Sequence, residues 1–165
     1  MSTPIRVAIL GANGRMGAAA VKAVNEAPDM ELVAALGRGD ELASILDSGA
    51  THIVDLTVPD ATESNVTFAV QNGLHAVVGT TGWDEARLNS LASLLAQHPE
   101  VGVLIAPNFA LGSVLATAFA ARAAKYFESV EVIELLQPNQ VDAPSGAAVR
   151  TAQPVAGARA AAGVA

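Results

Sequence analysis

Three glycines at positions 11, 14 and 17 directly follow an apolar run, Ile5–Leu10, and could hold a phosphate group. Glycine lets the backbone turn tightly and approach a ligand closely. The alanine-rich stretch that follows has a helical composition, and the start of a helix offers free N–H groups and a positive dipole end. The spacing is G-x-x-G-x-x-G, a variant of the G-x-G-x-x-G dinucleotide fingerprint. Residues 5–17 therefore predict a strand, a phosphate-binding turn and the start of a helix.

Two further polar loops follow apolar runs later in the chain. They are Gly79-Thr80-Thr81-Gly82, after residues 75–78, and Ala106-Pro107-Asn108-Phe109, at the end of residues 101–106. Each loop alone is typical of ordinary turn chemistry. Ligands of parallel sheets bind at the carboxyl ends of the strands, where all three loops would meet. The three loops together predict a mononucleotide or dinucleotide site.

A fourth candidate is Arg38, which follows the apolar run at 30–36 in the sequence Gly37-Arg38-Gly39-Asp40. In dinucleotide folds the end of the second strand usually carries an acid that holds the adenosine ribose. Glycine occupies that position here. The neighbouring basic residue Arg38, without the acid, would suit the 2′-phosphate of NADP. The alternative is an exposed arginine in a polar turn, and the sequence leaves both interpretations open.

Strands and helices must alternate to place these loops on one edge. Apolar runs predict strands at 5–10, 30–36, 51–58, 75–78, 101–106 and 129–136, and the intervening stretches predict helices at 16–27, 41–47, 59–72, 84–97 and 111–126. Alternation of this kind indicates an α/β fold, a Rossmann-type doubly wound parallel sheet. The continuous apolar runs agree, because parallel strands are buried on both faces.

Composition excludes several other classes of function. A net charge of −7 and an aromatic content of 4% argue against nucleic acid and anionic membranes as partners. The absence of cysteine excludes disulfides and thiolate chemistry. The three histidines, His52, His75 and His98, lack metal-ligand spacing. Arg6 interrupts the first apolar run and no stretch reaches membrane-spanning length, so we expect a cytoplasmic protein.

Four segments together resemble one enzyme family, 4-hydroxy-tetrahydrodipicolinate (dihydrodipicolinate) reductase of diaminopimelate and lysine biosynthesis. They are residues 11–17, 75–82 (HAVVGTTG), 105–109 (IAPNF) and 142–146 (DAPSG). The resemblance implies an N-terminal domain that binds NADH or NADPH. It also implies a C-terminal α+β domain that binds a small cyclic dicarboxylate and builds a homotetramer.

The resemblance also implies roles for individual residues. The pyrophosphate would lie against Gly11, Ala12, Asn13, Gly14, Arg15 and Met16, with Arg38 near the adenosine ribose. The nicotinamide side would be lined by Gly79, Thr80, Thr81, Ala106, Pro107, Asn108 and Phe109. Gly146 and Ala147 would face a substrate carboxylate.

The catalytic segment departs from the family pattern. Members carry His-His-Pro-His-Lys where this chain has Leu136-Gln137-Pro138-Asn139-Gln140. In the family the first histidine and the lysine are the proposed acid–base pair, and the second histidine contacts substrate. Leucine carries no proton, glutamine supplies neither a proton nor a positive charge, and Ala147 replaces a threonine hydroxyl. Loss of positioned acid–base catalysis typically costs roughly 10²–10⁴-fold.

Length gives a second departure, because residues 129–165 supply only the beginning of a substrate domain after a nucleotide domain at 1–128. Residues 147–165 resemble its first helix, with Pro154 at a costly interior position. We therefore expect a truncated domain that lacks the tetramer contacts.

Three functions remain open from the sequence. The first is an NAD(P)H-dependent reductase of 4-hydroxy-tetrahydrodipicolinate, and the second is a catalytically impaired nucleotide-binding homologue or fragment. The third is a Rossmann reductase of another imine or carbonyl. The cofactor loops favour all three equally, whereas Leu136 and Gln140 favour the second.

Overall fold

The computed structural model describes residues 3–106, 108–136 and 143–164, and within them five parallel strands form one sheet. The strands are β1 (Ile5–Leu10), β2 (Met30–Leu36), β3 (His52–Asp55), β4 (His75–Val78) and β5 (Val103–Ile105), in the spatial order β2-β1-β3-β4-β5. The chain divides into two compact units, residues 1–107 and residues 108–165, and the sheet belongs to the first.

Both faces of the central strand β1 are buried, which explains its continuous apolar run. Four helices accompany the strands in the described part of the first unit: α1 (Arg15–Glu26), α2 (Ser44–Asp47), α3 (Pro59–Gln71) and α4 (Glu85–Leu95). On β1, Val7 and Ile9 point to one side and pack with Val24 of α1. Ala8 and Leu10 point to the other side, into a cluster that contains Val66, Ala69 and Val70 of α3 and Leu91 of α4. The predicted doubly wound α/β fold is confirmed.

The position of β1 between β2 and β3 creates a crevice at one edge of the sheet. The chain passes from β1 outward to β2 and then returns across β1 to β3. Loops after β1 and after β3 therefore leave the sheet on opposite faces, and the gap between them opens at the carboxyl ends of the strands.

The second unit contains α5 (Leu111–Ala124) packed on α6 (Gly146–Ala161). The hydroxyls of Thr117 and Thr151 lie 3.0 Å apart across this contact. Arg159 donates to the carbonyls of Ala124 at 3.2 Å and Phe127 at 2.7 Å, where α5 ends and its carbonyls need partners. Helix α5, which the sequence places in a first domain ending at residue 128, thus packs in the second unit. Within the described ranges, none of the helices is long and apolar enough to cross a membrane.

The predicted sixth strand at 129–136 is wrong, because these residues form no strand. Their composition is typical of a strand, but a strand exists only through hydrogen bonds to a neighbour. No such neighbour lies beside them in the described part of the chain. Ile133 and Leu135 are 82% and 95% exposed, whereas a strand in a parallel sheet would bury them.

Helix α6 forms despite the proline at its centre. Pro154 lies inside the helix, which continues to Ala161. The residue is exposed, so water can reach the Arg150 carbonyl that loses its amide partner. Ser145 begins the helix, and its hydroxyl accepts a hydrogen bond from the Ala148 amide at 3.2 Å.

Two histidine rings stack at the amino ends of β3 and β4. The His52 and His75 ring centroids are 4.6 Å apart, and Nδ1 of His75 accepts the Gly102 amide at 2.9 Å. Burial and, secondarily, the charge of His75 lower the pKa of His52 below its usual 6.5. The folded chain therefore favours the neutral ring at a pH where the unfolded chain protonates it.

This pair should make stability depend on pH near 6. Since the pKa of His52 is lowered, its stabilisation is fully present above the unfolded value of 6.5 and is lost as the pH falls through the folded value. We expect the melting temperature to fall as the pH is lowered below 6.5, and His52→Gln to reduce that fall. The control is His98→Gln, outside the stack. A slope that is the same in His52→Gln and the unaltered chain would contradict the assignment.

Candidate functional site

The glycine turn after β1 is held in a conformation that only glycine tolerates. Gly11 has a φ of +78°, and a Cβ there would overlap the Leu56 carbonyl, 2.8 Å from its carbon. The amides of Gly11 and Ala12 both donate to the Leu36 carbonyl at 2.9 Å. A Cβ on Gly17 would collide with the Gly11 carbonyl, 2.7 Å from its carbon. The three glycines therefore let α1 begin directly against the turn.

The amino end of α1 presents donors without acceptors. Its N-cap is Gly14, which has no side chain to accept a hydrogen bond. Within the described residues, no acceptor takes the amides of Arg15, Met16 or Gly17. Amides without acceptors at the positive end of a twelve-residue helix are the features that an anion-binding site requires.

A cavity of about 530 Å³ opens beside this turn, at the carboxyl ends of β1, β2 and β3. Of the residues predicted to bind cofactor, it gathers Gly11, Asn13, Gly14 and Arg38. Ala12 instead packs into the core beside α1, and the side chains of Arg15 and Met16 are exposed on the first turn of α1. The rest of the lining comes from Leu10, Leu36, Gly37, Gly39, Asp40, Leu42, Leu56, Thr57, Val58, Ala61 and Asn65.

The loop after β2 forms one wall of the cavity. The Asp40 carboxylate accepts the Gly37 amide at 2.7 Å, which closes the loop on itself. A Cβ on Gly37 would overlap the Asn13 amide group, 3.2 Å from its carbon. Asn13 therefore fills the space that an acidic side chain at position 37 would use, and Arg38 and Asp40 carry the charges of this wall.

The loops after β4 and β5 leave the same edge of the sheet, farther from the cavity. The Gly79 amide donates to the Asp55 carbonyl at 2.9 Å, and the Ala106 amide donates to the Val78 carbonyl at 2.8 Å. Gly79 and Ala106 are therefore fixed at the ends of the strands, as predicted for loops of a parallel sheet, and Thr81 follows in the loop after β4. Thr80 is 5% exposed, and its hydroxyl points inward to Asp55.

Sequence reasoning missed a buried carboxylate between these loops and the cavity. Asp55 ends β3, is 0% exposed and accepts hydrogen bonds from Thr57, Asn65 and Thr80. The only signal in the sequence is an acid inside the apolar stretch IVDL. An acid there should have been questioned, because a buried carboxylate needs several donors.

The remaining described candidates lie in the second unit. Asn108 uses its side chain locally, accepting the Ala110 amide at 2.9 Å and donating to Ser113 at 2.8 Å. Phe109 is 53% exposed. Gly146 and Ala147 are the first residues of α6, and Leu136 has no group that could transfer a proton. Three predicted site residues, Pro107, Gln137 and Gln140, lie outside the described residues.

The start of α6 is fixed by an acid that the sequence did not single out. The Glu134 carboxylate accepts the Ser145 amide at 3.0 Å and also the Ser145 hydroxyl. Ser145 is 7% exposed. The hydrogen bonds between Glu134 and Ser145 fix the first turn of α6, which contains the amides of Gly146 and Ala147.

Comparison with known proteins identifies one family over nearly the whole chain. Residues 5–109 match the family described as dihydrodipicolinate reductase, N-terminus, and residues 112–164 match dihydrodipicolinate reductase, C-terminus. Relatives named 4-hydroxy-tetrahydrodipicolinate reductase occur in Streptomyces griseus, 59% identical over 96% of this chain, and in Streptomyces avermitilis, 60% identical over 96%. This chain spans 64% of the length of each of these relatives.

Solved structures agree with this match. A dipicolinate-bound dihydrodipicolinate reductase from Paenisporosarcina sp. TG-14 superposes with a TM-score of 0.78 at 36% identity, covering 95% of this chain and 67% of that one. The scyllo-inositol dehydrogenase of Lactobacillus casei, with NAD(H) bound, reaches 0.58 at 13% identity over 73% of this chain and 42% of its own. The latter likeness shows the fold alone.

Proposed function

The chain belongs to the dihydrodipicolinate reductase family, a family of oxidoreductases that use NADH or NADPH, and on this premise we propose that its first unit binds a reduced nicotinamide dinucleotide. The observation that carries the proposal is the cavity beside the glycine turn, lined by Gly11, Gly14 and Arg38. The amides at the start of α1, for which the described residues supply no acceptor, would receive the pyrophosphate. When bound, the dinucleotide would supply the hydride.

The cofactor fits this site on physical grounds. A Cβ at Gly11 or Gly17 would overlap backbone, so the turn is shaped for close approach and would not form with larger residues. The wall formed by residues 37–40 would take the adenosine ribose. A phosphate on its 2′-oxygen would be attracted to Arg38 and repelled by Asp40, and Gly37 carries no acid of its own.

For the reaction, we propose slow reduction of 4-hydroxy-tetrahydrodipicolinate to tetrahydrodipicolinate, a step of diaminopimelate and lysine biosynthesis. Support comes from the relatives' name and from the amides of Gly146 and Ala147 in the first turn of α6, for which the described residues supply no acceptor and which suit a substrate carboxylate. Leu136 cannot donate a proton, which favours a second candidate, a nucleotide-binding homologue with impaired catalysis. Measured turnover distinguishes the two.

The cofactor proposal is tested by titration of the unaltered chain with NADPH and with NADH. Trp83 is the single tryptophan, is 8% exposed and follows directly after Gly82, so its fluorescence should respond to a ligand on that loop. We expect quenching and a higher melting temperature with at least one of the two dinucleotides. If neither NADH nor NADPH changes the fluorescence or the melting temperature, the chain is not a dinucleotide binder.

Arg38 should determine preference for the 2′-phosphate. Removing an exposed charge-assisted contact with Arg38→Ala should weaken NADPH binding about tenfold and NADH binding about twofold or less. The matched control is Arg150→Ala, an exposed arginine on α6, which should change neither affinity. Equal losses for the two dinucleotides would reject the 2′-phosphate role and leave Arg38 as a surface residue.

A further inference from the structure

Asp55 connects two parts of the site that the sequence treats as separate. Its Oδ1 accepts three hydrogen bonds: from the Thr57 amide at 2.9 Å, the Thr57 hydroxyl at 2.6 Å and the Thr80 hydroxyl at 2.9 Å. Its Oδ2 accepts from the Asn65 side-chain amide at 3.1 Å. These donors come from the loop after β3, the loop after β4, and α3.

Because the Asp55 carboxylate is buried, its hydrogen-bond donors must keep their positions. Asp55 is 0% exposed, and a charge there is tolerable only while its donors stay in place. Two of the donors are themselves buried, Thr80 at 5% and Asn65 at 7% exposure, and the Asn65 amide also donates to the Thr57 hydroxyl at 3.3 Å. Displacement of one loop would therefore leave buried polar atoms unsatisfied in the other.

The two connected loops face different parts of the proposed cofactor. Thr57 lines the cavity beside the glycine turn, whereas Thr80 belongs to the loop assigned to the nicotinamide side. The glycine turn itself is anchored independently, through the Leu36 carbonyl. On the proposed function of dinucleotide binding, we propose that Asp55 is a positioning residue that holds the loop of residues 79–82 in register with the cavity, without contacting the cofactor.

This role predicts a selective loss of affinity. Asp55→Ala removes the acceptor of Thr57 and Thr80, so the loop at 79–82 should shift while the glycine turn stays. Affinity for NADH should fall about tenfold, the order expected when about one hydrogen bond to the ligand is lost. Affinity for ADP-ribose, which lacks the nicotinamide, should fall only about twofold. Asp55→Asn keeps an oxygen at the Oδ1 position and should restore most of the NADH affinity.

The experiment is calorimetric titration of NADH and ADP-ribose into the full chain and its variants, with melting temperatures measured alongside. Asp60→Ala is the matched control, since it removes an exposed acid from the first turn of α3 and should change both affinities by about twofold or less. If Asp55→Ala does not fold, Thr80→Val, which deletes only the hydroxyl that reaches Asp55, should give the same selective loss, and Thr80→Ser should not.

The outcomes separate this inference from the proposed function. If the unaltered chain binds neither NADH nor ADP-ribose, the proposed function fails and the inference fails with it. If the unaltered chain binds both and Asp55→Ala lowers both affinities in parallel with the melting temperature, Asp55 is structural only and the inference is overturned. A selective loss of NADH affinity with rescue by Asp55→Asn supports it.

Discussion

Gly17→Ala is expected to abolish measurable dinucleotide binding. The added methyl group would meet the Gly11 carbonyl carbon at 2.7 Å and the Ala12 Cα at 2.8 Å. Both atoms are backbone, so the clash can be relieved only if α1 moves away from the turn. That movement would displace the amides at the start of α1, and a loss of about hundredfold or more in NADPH and NADH affinity should follow, because each hydrogen bond to a charged group is worth about 1.5–3 kcal/mol.

The same substitution should destabilise the fold. Overpacking of a well-packed site typically costs about 1–3 kcal/mol, and here it would strain the contact between β1 and α1. Gly157→Ala is the matched control, because that glycine is exposed inside α6 and a Cβ there meets nothing within 4 Å. In a helix interior, alanine is favoured over glycine by about 0.5–1 kcal/mol, so the control should be as stable or more stable. If Gly17→Ala binds NADPH and NADH as tightly as the unaltered chain, the glycine turn does not bind the phosphates of the cofactor.

Restoring the family's proton-transfer groups should raise reductase activity roughly 10²–10⁴-fold, the range typical of a positioned acid–base pair. The change is Leu136→His, Gln137→His and Gln140→Lys together. It should be made in a chain extended by the part of the Streptomyces griseus relative that this chain does not span. Activity is measured as oxidation of NADPH with 4-hydroxy-tetrahydrodipicolinate.

A control should alter the same positions without supplying protons. Leu136→Asn with Gln140→Met changes polarity and shape but adds no titratable group. It should leave the extended chain as slow as before. If the extended chain with Leu136 and Gln140 unchanged is already as active as the restored one, the acid and base of this protein are other residues.

Elements whose structure is determined by local composition were predicted correctly from the sequence. The bounds of β2 and β4 agree with the prediction, because each strand is an apolar run that is followed directly by a glycine. The glycine turn was also predicted, since the need for glycine is visible at single positions such as Gly11. Composition failed for residues 129–136, where the β-branched residues Val130, Val132 and Ile133 pair with no strand of the described residues.

The Asp55 arrangement could not be predicted for a related reason. Its donors, Thr57, Asn65 and Thr80, are two, ten and twenty-five residues away and come from three different elements. Each of these residues is unremarkable in its own stretch of sequence. Their convergence depends on the register between β3 and β4, which pairs Asp55 with Val78 and brings the following residues together.

The amide hydrogens of the glycine turn and of the start of α1 should exchange with solvent at different rates. The hydrogens of Gly11 and Ala12 are bonded to the Leu36 carbonyl and can exchange only when β1 and β2 separate locally. Those of Arg15, Met16 and Gly17, without an acceptor in the described part of the chain, need no such opening. One short segment therefore contains both slow and fast hydrogens, and an anion bound at the start of α1 would slow the fast group alone.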